Sequence, residues 1–157
     1  MLGSEPLLAG VRVLDLSDGG ADAVTRLLAD LGADVLKLEP PEGSPARTER
    51  PTLDGASIPF ALHNANKRST VLNSTNAPDG RLFFELAAQA DIVVDSGVPG
   101  QAGDYGTSCA DLADRYPHLV TMSVTDCAAP SGLMVEVHAL NCSVRTPTMT
   151  VVPMKPM

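Results

Sequence analysis

At 157 residues and 44% hydrophobic, the chain is long enough to bury one substantial core, and its net charge of −8 excludes the broad basic surface that nucleic-acid binding needs. With no Trp, two Tyr and three Phe, that core must be aliphatic, and the stacking platforms of single-stranded nucleic-acid binders are lacking. No segment reaches the roughly 20 apolar residues of a membrane span, the opening MLGSEPLLAG lacks the basic start of a secretion signal, and three widely spaced cysteines without a C-x-x-C argue against a disulfide framework or metal site and for a reducing, cytoplasmic setting.

Along the chain, VRVLDL (11–16) is rich in branched and Leu residues with partial alternation and reads as a strand. SDGGADAVTRLLADLG follows as a helix with Ser17 or Asp18 as N-cap; Val24, Leu27, Leu28 and Leu31 fall at helical spacing and Gly32 is the stop. ADVLKLE (33–39) is the next strand. PPEGSPARTERP has Pro at four of twelve positions and reads as a loop. The short apolar piece SIPFALH leads into HNANKRSTVLN, where Lys67 and Arg68 stand side by side at the start of a strand in an otherwise acidic protein.

After that strand, Pro78 suits a first helical turn, and Leu82, Glu85, Leu86 and Gln89 set a turn-by-turn rhythm with Phe83 beside them. DIVVD (91–95) is a short buried strand, SGVPGQAGDYG a glycine-rich loop, TSCADLADRY a capped helix and HLVTMSV (118–124) a further strand. The steps LADLGADVLKL, LAAQADIVV and LADRYPHLVTM each run from helix end through a turn to an apolar strand. Such repetition predicts an α/β fold with a Rossmann-like, doubly wound, mostly parallel sheet over residues 1–126, with any ligand along the strand C-terminal edge.

Residues 127–157 change character. Eighteen of the nineteen acids precede Cys127, whereas four of the six methionines follow it. The segment reads as an irregular C-terminal tail, poorly specified beyond Asn141, in which GLMVEVHAL has the makings of one strand.

Several chemistries fail on the residues. The first strand-to-helix turn has adjacent Gly19 and Gly20 instead of G-x-G-x-x-G, although Glu39 stands where a ribose-binding acid would. Asp95, at a strand tip before a Pro-Gly loop, has the position of a phospho-acceptor, but Asp15 and Asp18 lie far upstream and SVTDC, at the end of the last strand, carries no Lys. His63, His118 and His138 have no G-x-S-x-G companion, and His118 reads as partly buried.

Taken together, PLLAGVRVLDLS, LLADLGADVLKLEPPEG, NANKRSTVLN, PDGRLFFELAAQADIVVDSGVPG, YGTS and YPHLVTMSVTD resemble, in order and spacing over about residues 6–126, the family III CoA-transferases. That family includes formyl-CoA and carnitine-type CoA-transferases, with α-methylacyl-CoA racemase as a relative. The resemblance implies transfer of CoA between carboxylic acids through an aspartate that attacks the thioester, CoA or acyl-CoA as the molecule handled and not as a covalently bound cofactor, and interlocked homodimers. It implies a nucleotide site at the strand ends, with Leu72 as an apolar wall and Ser96, Gly97, Lys67 and Arg68 as candidate contacts. The pair Lys67–Arg68 reads two ways: as local positive charge for a phosphate-bearing ligand, or, the favoured reading, as an anchor for its corner.

The chain also departs from that pattern. Pro40 and Asp104 stand where the family often has arginines, and Asp95-Ser96-Gly97 replaces its Glu-Asn-Phe. The family's nucleophilic aspartate lies beyond the last of these blocks, yet no aspartate follows Asp126. No catalytic residue and no metal ligand is therefore assigned. The expectation is an N-terminal fragment, inactive alone, arising from a truncated or frame-shifted coding region or as a short paralogue. Alternatives are a non-catalytic module that pairs with a full-length partner, or an unrelated Rossmann-like nucleotide binder.

Overall fold

A computed structural model of the chain describes residues 5–97, 100–126 and 133–138. β1 (Arg12–Leu16) is buried at every position after the first. Asp18 then accepts a hydrogen bond from the Gly19 amide and caps a 3₁₀ turn, Gly19–Ala21, that runs into α1 (Asp22–Asp30). Gly32 ends this unit at φ +99°, and a Cβ there would stand 2.2 Å from that of Pro6, so both conformation and contact require glycine. β2 (Asp34–Glu39) follows.

The proline-rich loop is more ordered than its composition predicts. Ser44 caps a 3₁₀ turn, Pro45–Thr48, and β3 (Thr52–Leu53) pairs with β4 (Ala56–Ser57). The connecting Asp54 and Gly55 both have positive φ, 50° and 84°, the pattern of a two-residue hairpin turn. The apolar piece after it is a helix, α2 (Ile58–Asn64), whose N-terminus is held by Ser57 Oγ accepting from the Phe60 amide at 3.1 Å.

β5 (Arg68–Val71), α3 (Ala77–Gln89), β6 (Ile92–Ser96), a 3₁₀ turn at Gln101–Tyr105, α4 (Cys109–Arg115) and β7 (Val120–Asp126) complete the alternation. β8 (Leu133–His138) matches the strand expected in GLMVEVHAL. The sheet order is β5-β2-β1-β6-β7-β8; five strands are parallel and β8 runs antiparallel to β7. This is the doubly wound, mostly parallel sheet that the repeated helix-to-strand steps predict, and its order reverses between β1 and β6. The remaining tail, residues 127–132 and 139–157, lies outside the described residues.

Both sheet faces are covered, which is why the strands read as nearly continuous apolar runs. Leu14, Leu16, Leu38 and Val93 meet Phe83 and Ala87 of α3 and Leu112 of α4 on one face; Val13, Val35, Val94 and Val124 meet Ala21 and Ala29 on the other. Each fully buried Leu, Val or Phe contributes about 1.5–3 kcal/mol. Two helix stripes differ from the sequence expectation. On α3 the buried residues are Phe83 and Ala87 while Leu82 is exposed, and on α1 they are Asp22, Thr25 and Ala29 while Leu27 is exposed. Close packing on a parallel sheet admits small residues at the contact and leaves large ones at the flanks. His118 is likewise exposed, against the expectation of partial burial.

Candidate functional site

The switch point between β1 and β6 opens onto a groove along the strand C-terminal ends. Three cavities make it up, of about 270, 380 and 460 Å³. The first two share Asp18 and Ser96; the first and third share Pro40, Gln101 and Asp104. Ligands of open α/β sheets bind where strand order reverses, because diverging loops leave a crevice there. The turn after β1 is tied across it: the Asp18 amide donates to Ser96 Oγ at 3.0 Å, and Ser44 Oγ donates to Asp18 Oδ1.

Beneath the β1–α1 turn lies a cluster of four buried charges. Lys37 Nζ donates to Asp22 Oδ1 at 2.6 Å and to the Ser17 carbonyl at 2.6 Å. Lys67 Nζ donates to Asp15 Oδ2 at 2.9 Å, to Asn64 Oδ1 at 2.7 Å and to the Asp22 carbonyl at 3.0 Å. Both lysine side chains are only 2% exposed. Two ammonium groups balance two carboxylates, and the hydroxyls of Ser17 and Thr25 donate to the remaining Asp15 acceptors. Burial of charge is tolerable only with such complete pairing.

The asparagine–cation run is thereby bonded outward at every polar side chain. Asn64 Nδ2 donates to Asp22 Oδ2 at 3.1 Å, Asn66 Nδ2 to Asp30 Oδ1 at 2.7 Å, and Arg68 reaches Asp34 through two nitrogens at 2.9 and 2.6 Å. Arg68 and Asp34 begin their strands, so that pair sits at the edge opposite the groove, beside a cavity of about 160 Å³. Neither Lys67 nor Arg68 lines the groove. Leu72, 4% exposed, forms part of its floor beside Pro40 and Tyr105, while Ser96 and Gly97 line it at the end of β6.

Two strand-end acids considered for other chemistries are fully engaged. Glu39 receives Arg47 Nε at 2.6 Å, Arg47 Nη2 at 2.7 Å and the Ser44 amide at 3.1 Å. The Arg47 hydrogen bonds hold its carboxyl below the usual range despite burial. Asp95 accepts from the amides of Ser96, Gln101 and Ala102 at 2.8, 2.9 and 3.0 Å, closing the glycine-rich loop onto β6. Burial pushes its carboxyl up, with the three amides opposing.

Asp95 and Asp15 are close in the sheet although 80 positions apart, because β1 and β6 are neighbours; but Asp95 faces Leu16 and Asp15 faces Val94 in register, so their side chains leave on opposite faces. A shared acidic metal site is thus ruled out for this pair, and no group of three or more His, Cys, Asp or Glu able to hold a metal occurs among the described residues. None of the described helices is long and apolar enough to cross a membrane.

The sequence reading missed the buried Asp15–Asp22–Lys37–Lys67 cluster. Its signal was Lys37, a cation inside the apolar strand DVLKLE, where a buried partner is obligatory.

Comparison with known proteins bears on the same region. Residues 8–127 match CoA-transferase family III. A probable CoA-transferase of Mycobacterium tuberculosis is 68% identical over 121 residues, covering 74% of this chain and 15% of the relative. The formyl-CoA:oxalate CoA-transferase of Streptomyces avermitilis is 36% identical over 119 residues, covering 74% and 29%. The crystal structure of a CaiB/BaiF family protein from Brucella suis superposes with a TM-score of 0.69 at 32% identity, over 78% of this chain and 34% of that one. The chain thus spans about a third or less of the length of these relatives. With the sheet, the switch-point groove and a family match across most of its length, the chain belongs to CoA-transferase family III.

Proposed function

We propose that this chain holds the nucleotide end of CoA or acyl-CoA in the switch-point groove and does not transfer acyl groups by itself. The observation that carries the reading is the run of joined cavities at the β1–β6 reversal, in a chain whose relatives are named for CoA transfer. Leu72 gives the ligand an apolar wall, and Ser96 and Gly97 meet it at the end of β6. Lys67 acts from below, by fixing Asp15 and the Asp22 carbonyl, and Arg68 by joining β5 to β2.

Transfer requires a carboxylate that attacks the thioester carbonyl, forming a mixed anhydride as the C–S bond breaks and CoA leaves as thiolate. The resemblance puts that aspartate past the region matched to the family, residues 8–127, and gives the nucleophile's role to none of the acids within it. Calorimetric titration tests the reading: CoA binds and NAD does not, while an acyl-CoA with a carboxylate acceptor gives no exchange. Exchange that disappears on neutralising one of the chain's own acids overturns the inactivity claim; absence of CoA binding overturns the site.

Leu27 on α1 and Ile58 and Leu62 on α2 are exposed on helices that contact each other, which favours a second reading, pairing with a longer family member. Co-expression with such a relative yields a heteromeric complex by light scattering under this reading, and two separate species otherwise.

A further inference from the structure

The groove is rich in acceptors and poor in available positive charge. Its carboxylates are Asp18, Glu42 and Asp104, the last two exposed. Among the described residues that line it, the one cation is Lys37, buried against Asp22 and the Ser17 carbonyl. Arg47, two residues after the lining Pro45, is held bidentately by Glu39.

A second observation is independent of charge. Gln101 lines both the 270 and the 460 Å³ cavities, and its buried Oε1 has no hydrogen-bond partner among the described residues. A buried acceptor without a donor is costly, and a ligand N–H or O–H arriving there removes the penalty. Both observations favour an occupant that brings donors and carries less negative charge than CoA itself.

We infer that this groove, read as the CoA site proposed above, discriminates against the 3′-phosphate and takes the form of CoA lacking it in preference to CoA itself, the diphosphate being common to both. The adenine amine and the pantetheine amides are the donors such a ligand offers to Gln101, and the missing phosphate removes repulsion from Asp104, Glu42 and Asp18.

Titration of CoA and dephospho-CoA against the whole chain, at about 20 mM and about 500 mM salt, tests this. At low salt dephospho-CoA binds about tenfold tighter, and the ratio falls toward one at high salt as screening shortens from about 20 Å to about 4 Å. Asp104→Arg, at an exposed position, reverses the preference, and Gln101→Leu weakens both ligands together by about fivefold or more without changing their ratio. Equal binding of the two ligands, or tighter CoA binding that weakens with salt, overturns the inference and leaves the CoA reading standing. Failure of both ligands to bind overturns the two together.

Discussion

Lys67 illustrates how a cation in an acidic chain can be committed inward. Its ammonium meets the Asp15 carboxylate, a side-chain amide and a backbone carbonyl. Lys67→Met therefore leaves Asp15 and Asp22 with too little positive charge, and urea denaturation is expected to show a loss of about 3–5 kcal/mol. Adding Asp15→Asn recovers part of that loss, since the uncompensated carboxylate is then gone. Glu39 gives a pH signature instead. Its folded-state pKa is lowered below the ordinary 4.5 by Arg47, so its stabilisation is complete above that value and is lost as pH falls through the lowered one. The stability gap between wild type and Arg47→Ala is expected to be constant from neutrality to about pH 4.5 and to close below it. Asp95 runs the other way: its raised pKa means the folded state takes up its proton first, so its ionisation costs stability progressively as pH rises from the ordinary 3.8 to the raised value, and the cost is constant above that. At this scale the sequence was half legible. The pairing of Lys67 and Arg68 with something was readable from their isolation among acids, but not that one would turn into the core and the other to the far sheet edge.

Among the elements, the loop after β6 is the one whose geometry most constrains the groove. A Cβ at Gly100 would lie 2.3 Å from the Asp95 carboxylate that anchors the 3₁₀ turn carrying Gln101. Gly100→Ala is expected to destabilise by about 2–3 kcal/mol in thermal or urea unfolding, and to weaken ligand binding more than any loss of folded protein explains, because Gln101 and Asp104 move with the turn. Helices and strands were well marked in the sequence by caps, Gly32, Pro78 and apolar runs. Their buried faces were not, because spacing identifies a stripe without saying how closely the helix approaches the sheet; Thr25 and Ala29 lie against β1 and β2 while Leu27 faces outward. The β3–β4 hairpin was overlooked although its Asp-Gly signal was present, since the prolines around it dominate the composition.

Over the whole molecule, the alternation of helix and strand predicted the parallel sheet, because a right-handed crossover leaves few other arrangements, and a groove opens along the C-terminal ends of its strands. What one-dimensional pattern could not supply was the meeting of distant segments: that Asp18 and Ser96 would bond across the reversal, or that Asp95 would stand opposite Leu16. The four-charge cluster has a consequence for how the molecule comes apart. Asp15, Asp22, Lys37 and Lys67 belong to β1, α1, β2 and the lead into β5, so none of these pieces can swing away without baring a charge that its neighbours had neutralised. Amide hydrogens from residue 12 to residue 71 in these elements should accordingly share one exchange free energy, and opening of β7 and β8 should follow its own, lower one. Hydrogen–deuterium exchange in which α1 or β5 frays alone, well before β1, would show that the lattice of charges does not bind them into a single cooperative block.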